Sequence, residues 1–482
     1  MHCTVKYVVI FLLVSFVEGR GVNGGFSCAG CTIISGIADQ LAQIHNETLL
    51  AASLRLCQMM PAVAESYCIE AVTTLEPIIT NPKLSEIFTP DVFCYGIDIC
   101  YLDPGQSYCH LFPRPQMGFR QSVQLIKDLL PPEPQRSAIN RHLAHISLDL
   151  CRFPGIHELC EMFNRSWSLI RPALDVDGDW FSIVRDTVHN YTQPLLDELD
   201  WPHLGFATGF MNTTEPLLIK GITDSLYLRL RARNRCNHRD YQNLSRNGAS
   251  SYDGITYVKS LARNQTHDKP LLVMYGMYGN DICNRFSDAL PNMTTPAEFY
   301  RNVMNVLNVL NTSLPFGSHV MLIGLVDGGF IYPTMENRIH PLGQLHGNIH
   351  YRDVYTWFNC MEMGPCSAWM NGNVTLRKMA TMRAQKLTLV LKNIVAKERF
   401  ATFSLRYLDN PVLSVMWDWK QKGKPLWQLL DPVDSLHPSQ TAQPLLAHVL
   451  WDNILRNFPE ALGDENPNNK KIEQLFGDQG GH

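Results

Sequence analysis

The sequence has no excess of positive charge and, beyond its N-terminus, no long apolar run. Its 482 residues carry 41 Lys and Arg against 45 Asp and Glu, a formal net charge of −4 with a pI near 6.5. Nucleic acid demands a strongly basic face, so that class of partner is excluded. Mean hydropathy is −0.11, and a single apolar stretch rules out a polytopic membrane protein. Aromatic residues are not scarce. At 10% of the chain they supply enough apolar surface to fold, which excludes a disordered chain. At roughly 150 residues per domain the length allows two to three domains, each with its own core.

The one apolar stretch, Tyr7–Val17, follows His2 and Lys6 and ends at Glu18, Gly19 and Arg20. It is too short to cross a bilayer and reads as a secretory signal peptide over residues 1–20. N-x-S/T sequons at Asn46, Asn164, Asn190, Asn212, Asn243, Asn264, Asn292, Asn311 and Asn373 fit a chain glycosylated in transit and secreted.

Fourteen cysteines in a secreted chain imply disulfides rather than thiolate metal sites. Cys3 leaves with the signal peptide. Six others form one block: Cys28, Cys31, Cys57, Cys68, Cys94 and Cys100. Helical periodicity runs between them, as in Thr32–Ile44, and Pro61, Pro77, Pro82 and Pro90 punctuate the later helices. This is a small, disulfide-stapled helical domain. Spacing alone leaves fifteen pairings open. The block resembles the saposin B family over residues 24–105. That resemblance implies the pairs Cys28–Cys100, Cys31–Cys94 and Cys57–Cys68, and a clasp whose apolar inner faces hold lipid at a membrane surface. Ile33, Ile34, Ile37, Leu41, Leu49, Leu54 and Leu56 are the candidate lipid contacts, and ordinary core packing is the competing role for each.

Residues 106–198 read as a linker and processing region, rich in proline, with a helical pattern at Arg120–Leu130. Asp175, Asp177 and Asp179 alternate like the start of a calcium loop. The sixth position is Trp180 and the twelfth Asp186, where Gly and Glu are needed, so a structural calcium site is incomplete here.

From residue 199 to 482 short apolar runs alternate with helical segments. Leu271–Gly276, Val320–Leu325 and Phe400–Leu408 read as strands, with helices over Pro296–Leu310 and Lys386–Glu398 between them. The expectation is an α/β domain with a mostly parallel sheet and its site at the carboxyl ends of the strands. Polar patches fall there: the stretch from Asn243 through Gly248 to Ser251, then Gly279-Asn280-Asp281, then the Asp431–His437 loop leading into a helix over Thr441–Leu455. Asp434 can fix the tautomer of His437 and steady its imidazolium, as a general base requires. The Asn280 amide and the Gly248 N–H suit an oxyanion.

In that order these patches resemble blocks two, three and five of the SGNH (GDSL-type) hydrolases, which have a flavodoxin-like fold. The resemblance implies that Asp434 and His437 are acid and base of a triad and that Gly248 and Asn280 are oxyanion donors. A saposin B module before such a hydrolase resembles the acyloxyacyl hydrolase family. Its members remove secondary fatty acyl esters from lipid A of bacterial lipopolysaccharide, detoxifying it. They work without a catalytic cofactor, in secretions and lysosomal or other intracellular vesicles, as two disulfide-linked chains cut from one precursor.

The first block of that pattern is missing. Gly-Asp-Ser occurs nowhere in the sequence, and between Asp179 and Trp201 no apolar strand precedes a serine. Ser225 follows Asp224 but has Thr223 where the tight turn needs glycine, and Ser435 is expected to be a loop residue. Seven cysteines remain outside the six-cysteine block, an odd number, so at least one has no partner within the chain. We read this as a form that lacks an internal block, with the first strand of the sheet and the nucleophile; a thiol bridging to another chain is the rival account of the odd cysteine. The expectation is a chain that folds poorly or is inactive, and a non-catalytic lipid-binding protein is the alternative function. His346 and His350 read as solvated loop residues, Cys236 as a disulfide cysteine beside His238, and Arg229, Arg231, Arg233 and Arg235 as a solvated helix face.

Overall fold

The computed structural model describes residues 22–58, 62–130, 203–211, 221–245, 249–277, 279–345, 347–432 and 434–478. The signal peptide, Asp175, Asp177, Asp179 and the sequons at Asn164, Asn190 and Asn212 lie outside them.

The N-terminal module is helical: α1 Gly25–His45, α2 Leu49–Gln58, α3 Ala62–Ile79, α4 Pro82–Ile87 and α5 Pro90–Gly96. Proline opens α4 and α5, where the missing N–H is no loss. Asn81 caps the first through the Lys83 N–H and Thr89 the second through the Val92 N–H. The disulfides are Cys28–Cys100, Cys31–Cys94 and Cys57–Cys68, the pairing that the saposin resemblance implies. Each closed loop stabilises the fold by about 2–4 kcal/mol. Ile37, Leu41 and Leu56 are buried with Ala42 and Ala52 in a small core between α1 and α2, and Ile33 and Ile34 pack on it.

The helix expected near residues 120–130 is α6, Phe119–Leu129, and it joins the core of the six-cysteine module. It lies so close to α5 that a Cβ on Gly96 would overlap the Ile126 side chain. No helix among the described residues is long and apolar enough to cross a membrane.

Beyond α7, Leu226–Arg233, comes the α/β part: β1 Leu272–Tyr275, α8 Pro296–Ser313, β2 Ser318–Ile323, α9 Tyr351–Cys360, α10 Val374–Lys397, β3 Phe403–Leu408, α11 Val412–Gln421, α12 Gln443–Asn457 and α13 Asn469–Phe476. The strands are parallel in the order β1-β2-β3, with Leu272 opposite His319 and Ser318 opposite Phe403. Side chains alternate across the sheet as strand geometry requires. Val320 and Leu322 face the core under α8 and α10, while Met321 and Ile323 face the one under α7 and α12.

A parallel strand normally reads as apolar because both of its faces are covered. β2 follows that rule, with five of its six residues buried. In β1, Leu272, Val273 and Met274 are only half-buried, and among the described residues β1 pairs with β2 alone. An apolar strand thus stands at the sheet edge among the described residues.

Arg229, Arg231, Arg233 and Arg235 are not a solvated face. Arg229 pairs with Asp224 at 2.6 Å and Arg233 bonds the Gly463 carbonyl at 2.7 Å. Arg231 is buried and, with Arg235, holds Asp478 near the C-terminus. Guanidinium forks suit such tethers. Cys236 is likewise not in a disulfide; it is an exposed free thiol.

Candidate active site

All three strands point their carboxyl ends to the same edge, so the loops that follow them gather there. The loop carrying Asp434 and His437 is closed by an antiparallel bridge between Leu430 and Pro438. Its Asp431 N–H donates to the His437 carbonyl at 2.8 Å. Inside it, Oδ1 of Asp434 accepts the N–H groups of Leu436 at 2.7 Å and of His437 at 3.1 Å. This is the local turn that a short carboxylate makes. Oδ2 bonds Nδ1 of the His437 ring. The Asp434 side chain is 7% exposed and that of His437 21%, so the pair is shielded while the ring keeps an opening to solvent. A carboxylate on Nδ1 fixes the proton there and makes Nε2 the basic nitrogen.

Ser435, between them, has φ 55°, a conformation that costs a non-glycine residue of order 1–3 kcal/mol. It is buried, and its Oγ donates to the Asp434 carbonyl at 2.5 Å. The Tyr355 hydroxyl bonds the same Oγ, and the Tyr351 hydroxyl donates to the Pro432 carbonyl.

Asn280 sits just past β1. Its Nδ2 donates to the Ala249 carbonyl at 2.9 Å, which brings the Gly279-Asn280-Asp281 loop against the residue that follows Gly248. Gly248 itself lies outside the described residues. One amide N–H orients the side chain, and the group carries a second.

Asp281 anchors this loop from below, a role the sequence did not suggest. Its carboxylate accepts the Ser251 Oγ at 2.6 Å and the Ser251 N–H at 3.0 Å. Asn302 of α8 donates to the same Ser251 Oγ at 3.0 Å. Burial pushes the Asp281 carboxyl up, and the bonds from Ser251 and Thr294 pull against that. Ser251 lies 30 positions from Asp281 and 51 from Asn302, a separation that no local motif reveals.

The remaining candidates have other roles. Ser225 is buried at the N-cap of α7, where its Oγ accepts the Leu228 N–H at 3.1 Å and donates to the Gly209 carbonyl at 2.5 Å. Both directions of the hydroxyl are used, so it serves as a cap. His350 precedes α9 and its N–H donates to Asp353 at 2.8 Å; His346 lies outside the described residues. No cluster of three or more His, Cys, Asp or Glu able to hold a metal occurs among the described residues. Of the sequons, Asn46, Asn243, Asn264, Asn292 and Asn373 are exposed. Asn311 is half-buried, and its amide oxygen accepts the Ala401 N–H at 3.0 Å.

Comparison with known proteins identifies the family. Residues 27–161 match the saposin-like domain family and residues 203–450 match the GDSL-like lipase/acylhydrolase family. The acyloxyacyl hydrolase of Homo sapiens is 34% identical over 96% of this chain and 94% of its own length, and that of Mus musculus 33% over 96% and 95%. The human alignment runs over 551 positions whereas the chain has 482, so the relative carries internal residues that this sequence does not. With a third of its positions shared along almost its whole length, the chain belongs to the acyloxyacyl hydrolase family of carboxylic ester hydrolases.

Proposed function

We propose that the chain acts on lipopolysaccharide: the six-cysteine module takes hold of acyl chains, and the α/β module cleaves the secondary, acyloxyacyl-linked fatty esters of lipid A. The observation that carries this reading is the Asp434–His437 pair, in a loop that its own backbone bonds close. Nε2 of His437 would take the proton of an attacking hydroxyl, and the Asn280 amide with the Gly248 N–H would meet the oxyanion of the tetrahedral intermediate. The imidazolium, steadied by Asp434, would then protonate the departing hydroxyacyl oxygen. Collapse leaves the acyl group on the attacking oxygen, and water, deprotonated by Nε2, would then break that bond and release the free fatty acid. This chemistry needs no cofactor.

The attacking hydroxyl belongs to none of the serines weighed above. Ser225 is committed to a cap and Ser435 lies under its own loop. Entry to the secretory route is supported by five disulfides among the described residues, which an oxidising compartment maintains. The two-chain form is supported by the Cys109–Cys360 disulfide, which would keep the halves together after a cut between them.

The test is release of secondary fatty acids from lipopolysaccharide by the full chain and by His437→Gln. Release that falls about 10⁴-fold in the variant supports the assignment; release that persists removes His437 from the reaction. The missing Gly-Asp-Ser raises a second reading, which the family match does not favour: a member of the family that captures acylated lipid without cleaving it. Lipopolysaccharide binding with no release, and no labelling by a fluorophosphonate, would establish that reading in place of the first.

A further inference from the structure

Helix α9 is buried on two sides by two different cores. Tyr351 and Tyr355, one turn apart, belong to the core of the α/β part. Val354 and Trp357 belong to the core of the six-cysteine module, together with Cys28, Cys94, Phe112 and Ile126, and Phe358 packs against it. At about 100° per residue Tyr351 and Tyr355 lie on one flank of the helix and Trp357 on another, with Val354 and Phe358 between them. The last residue, Cys360, is joined to Cys109, and the Val22 N–H donates to the Met361 carbonyl at 3.2 Å just beyond it.

The first face ends on the loop of the active site. The Tyr351 hydroxyl donates to the Pro432 carbonyl, two residues before Asp434, and the Tyr355 hydroxyl bonds Ser435, one residue after it. Ser435 in turn donates to the Asp434 carbonyl. The strained φ of Ser435 is a conformation that persists only where surroundings over-determine it, and these bonds do so. Burial raises the pKa of both phenols, so they remain neutral hydrogen-bonding hydroxyls.

We propose that Tyr355, seconded by Tyr351, positions the Asp434–His437 pair, and that α9 makes this position depend on how the six-cysteine module is seated. The tyrosines are positioning residues: they act through the loop backbone and Ser435. A module that shifts on taking up lipid would then move the same helix that holds the base.

The inference rests on Asp434 and His437 being the catalytic pair, and its test needs no turnover, so the two fail separately. The full chain is labelled with ¹³Cε1-histidine and the His437 signal identified by its loss in His437→Gln. In Tyr355→Phe the ring remains and only the hydroxyl goes. A loosened carboxylate stabilises the imidazolium less, so the His437 titration midpoint falls by about half a pH unit or more. Trp357→Leu, which leaves the loop and both tyrosines intact, moves the same signal in the same direction. Ser435→Ala removes the other half of the contact should Tyr355→Phe fail to fold. A wild-type midpoint in folded Tyr355→Phe or Ser435→Ala overturns the positioning role. A midpoint that moves with Tyr355→Phe and ignores Trp357→Leu overturns the dependence on the module.

Discussion

Cys109 and Cys360 are bonded across 251 positions of sequence, and the bond ties the six-cysteine module to the helix that supports the His437 loop. Proteolysis within residues 131–202 is therefore expected to give two fragments that stay together in non-reducing electrophoresis and part on reduction. In Cys109→Ser/Cys360→Ser they separate in detergent without reductant. Separation of the cleaved wild-type chain without reductant would contradict the pairing.

Asp91 is 1% exposed, with Oδ2 accepting the N–H groups of Leu111 at 3.0 Å and Phe112 at 2.6 Å. Burial pushes its carboxyl up to about 7, against the pull of those two bonds. A raised acid binds its proton more tightly when folded, so the stability it confers is complete below about pH 4. That stability is lost as pH rises towards 7, on the order of a few kcal/mol in total. Asp91→Asn is expected to flatten that part of the stability profile in urea unfolding between pH 4 and 8. An unchanged slope would mean the carboxyl titrates normally.

Asn280→Ala removes the amide proposed as an oxyanion donor and leaves Asp434 and His437 untouched. Wherever His437-dependent release of fatty acid is measured, the variant should lose about 10²–10³ in kcat with little change in KM. A rise in KM at constant kcat would show instead that Asn280 binds the ground state.

Ser225→Ala should leave deacylation unchanged and cost about 1–2 kcal/mol of stability through loss of the α7 cap. Denaturant unfolding beside the fatty-acid assay separates the two effects. Abolished turnover in a folded variant would restore Ser225 as a nucleophile.

Cys236 is an exposed free thiol. Iodoacetamide under native, non-reducing conditions is expected to place one adduct on the peptide that contains it, read by mass. Protection of that peptide, with release on reduction, would point to a bond with a second chain.

Much of the architecture was legible in the sequence because it rests on local physics. The strands at 272–275 and 403–408 stand within the apolar runs that announce them, the one at 318–323 overlaps its run but starts two residues earlier, and the periodicity near Arg120 is α6. Asp434 and His437 were readable because a three-residue spacing in one loop brings them together by itself. What escaped were contacts set by packing. The arginine series looks solvated in one dimension, yet Arg231 and Arg235 grip a carboxylate some 240 positions on. Cys236 looks like half of a bridge, and its lack of a partner appears only once the described cysteines are placed. Ser251 reaches Asp281, and Asn302 reaches Ser251, from other elements.

The sequence by itself determined the two kinds of module, their order, the His437 ring with its Asp434 carboxylate, and the absence of Gly-Asp-Ser. Those are properties of residue type, spacing and periodicity, which act within a turn or two of chain. Tertiary structure alone decided that α9 lies between two cores, that its tyrosines grip the turn at Ser435, and that, among the described residues, an apolar β1 stands at the sheet edge. Each of these depends on which surfaces meet once apolar area is buried, and that is settled by the whole chain at once.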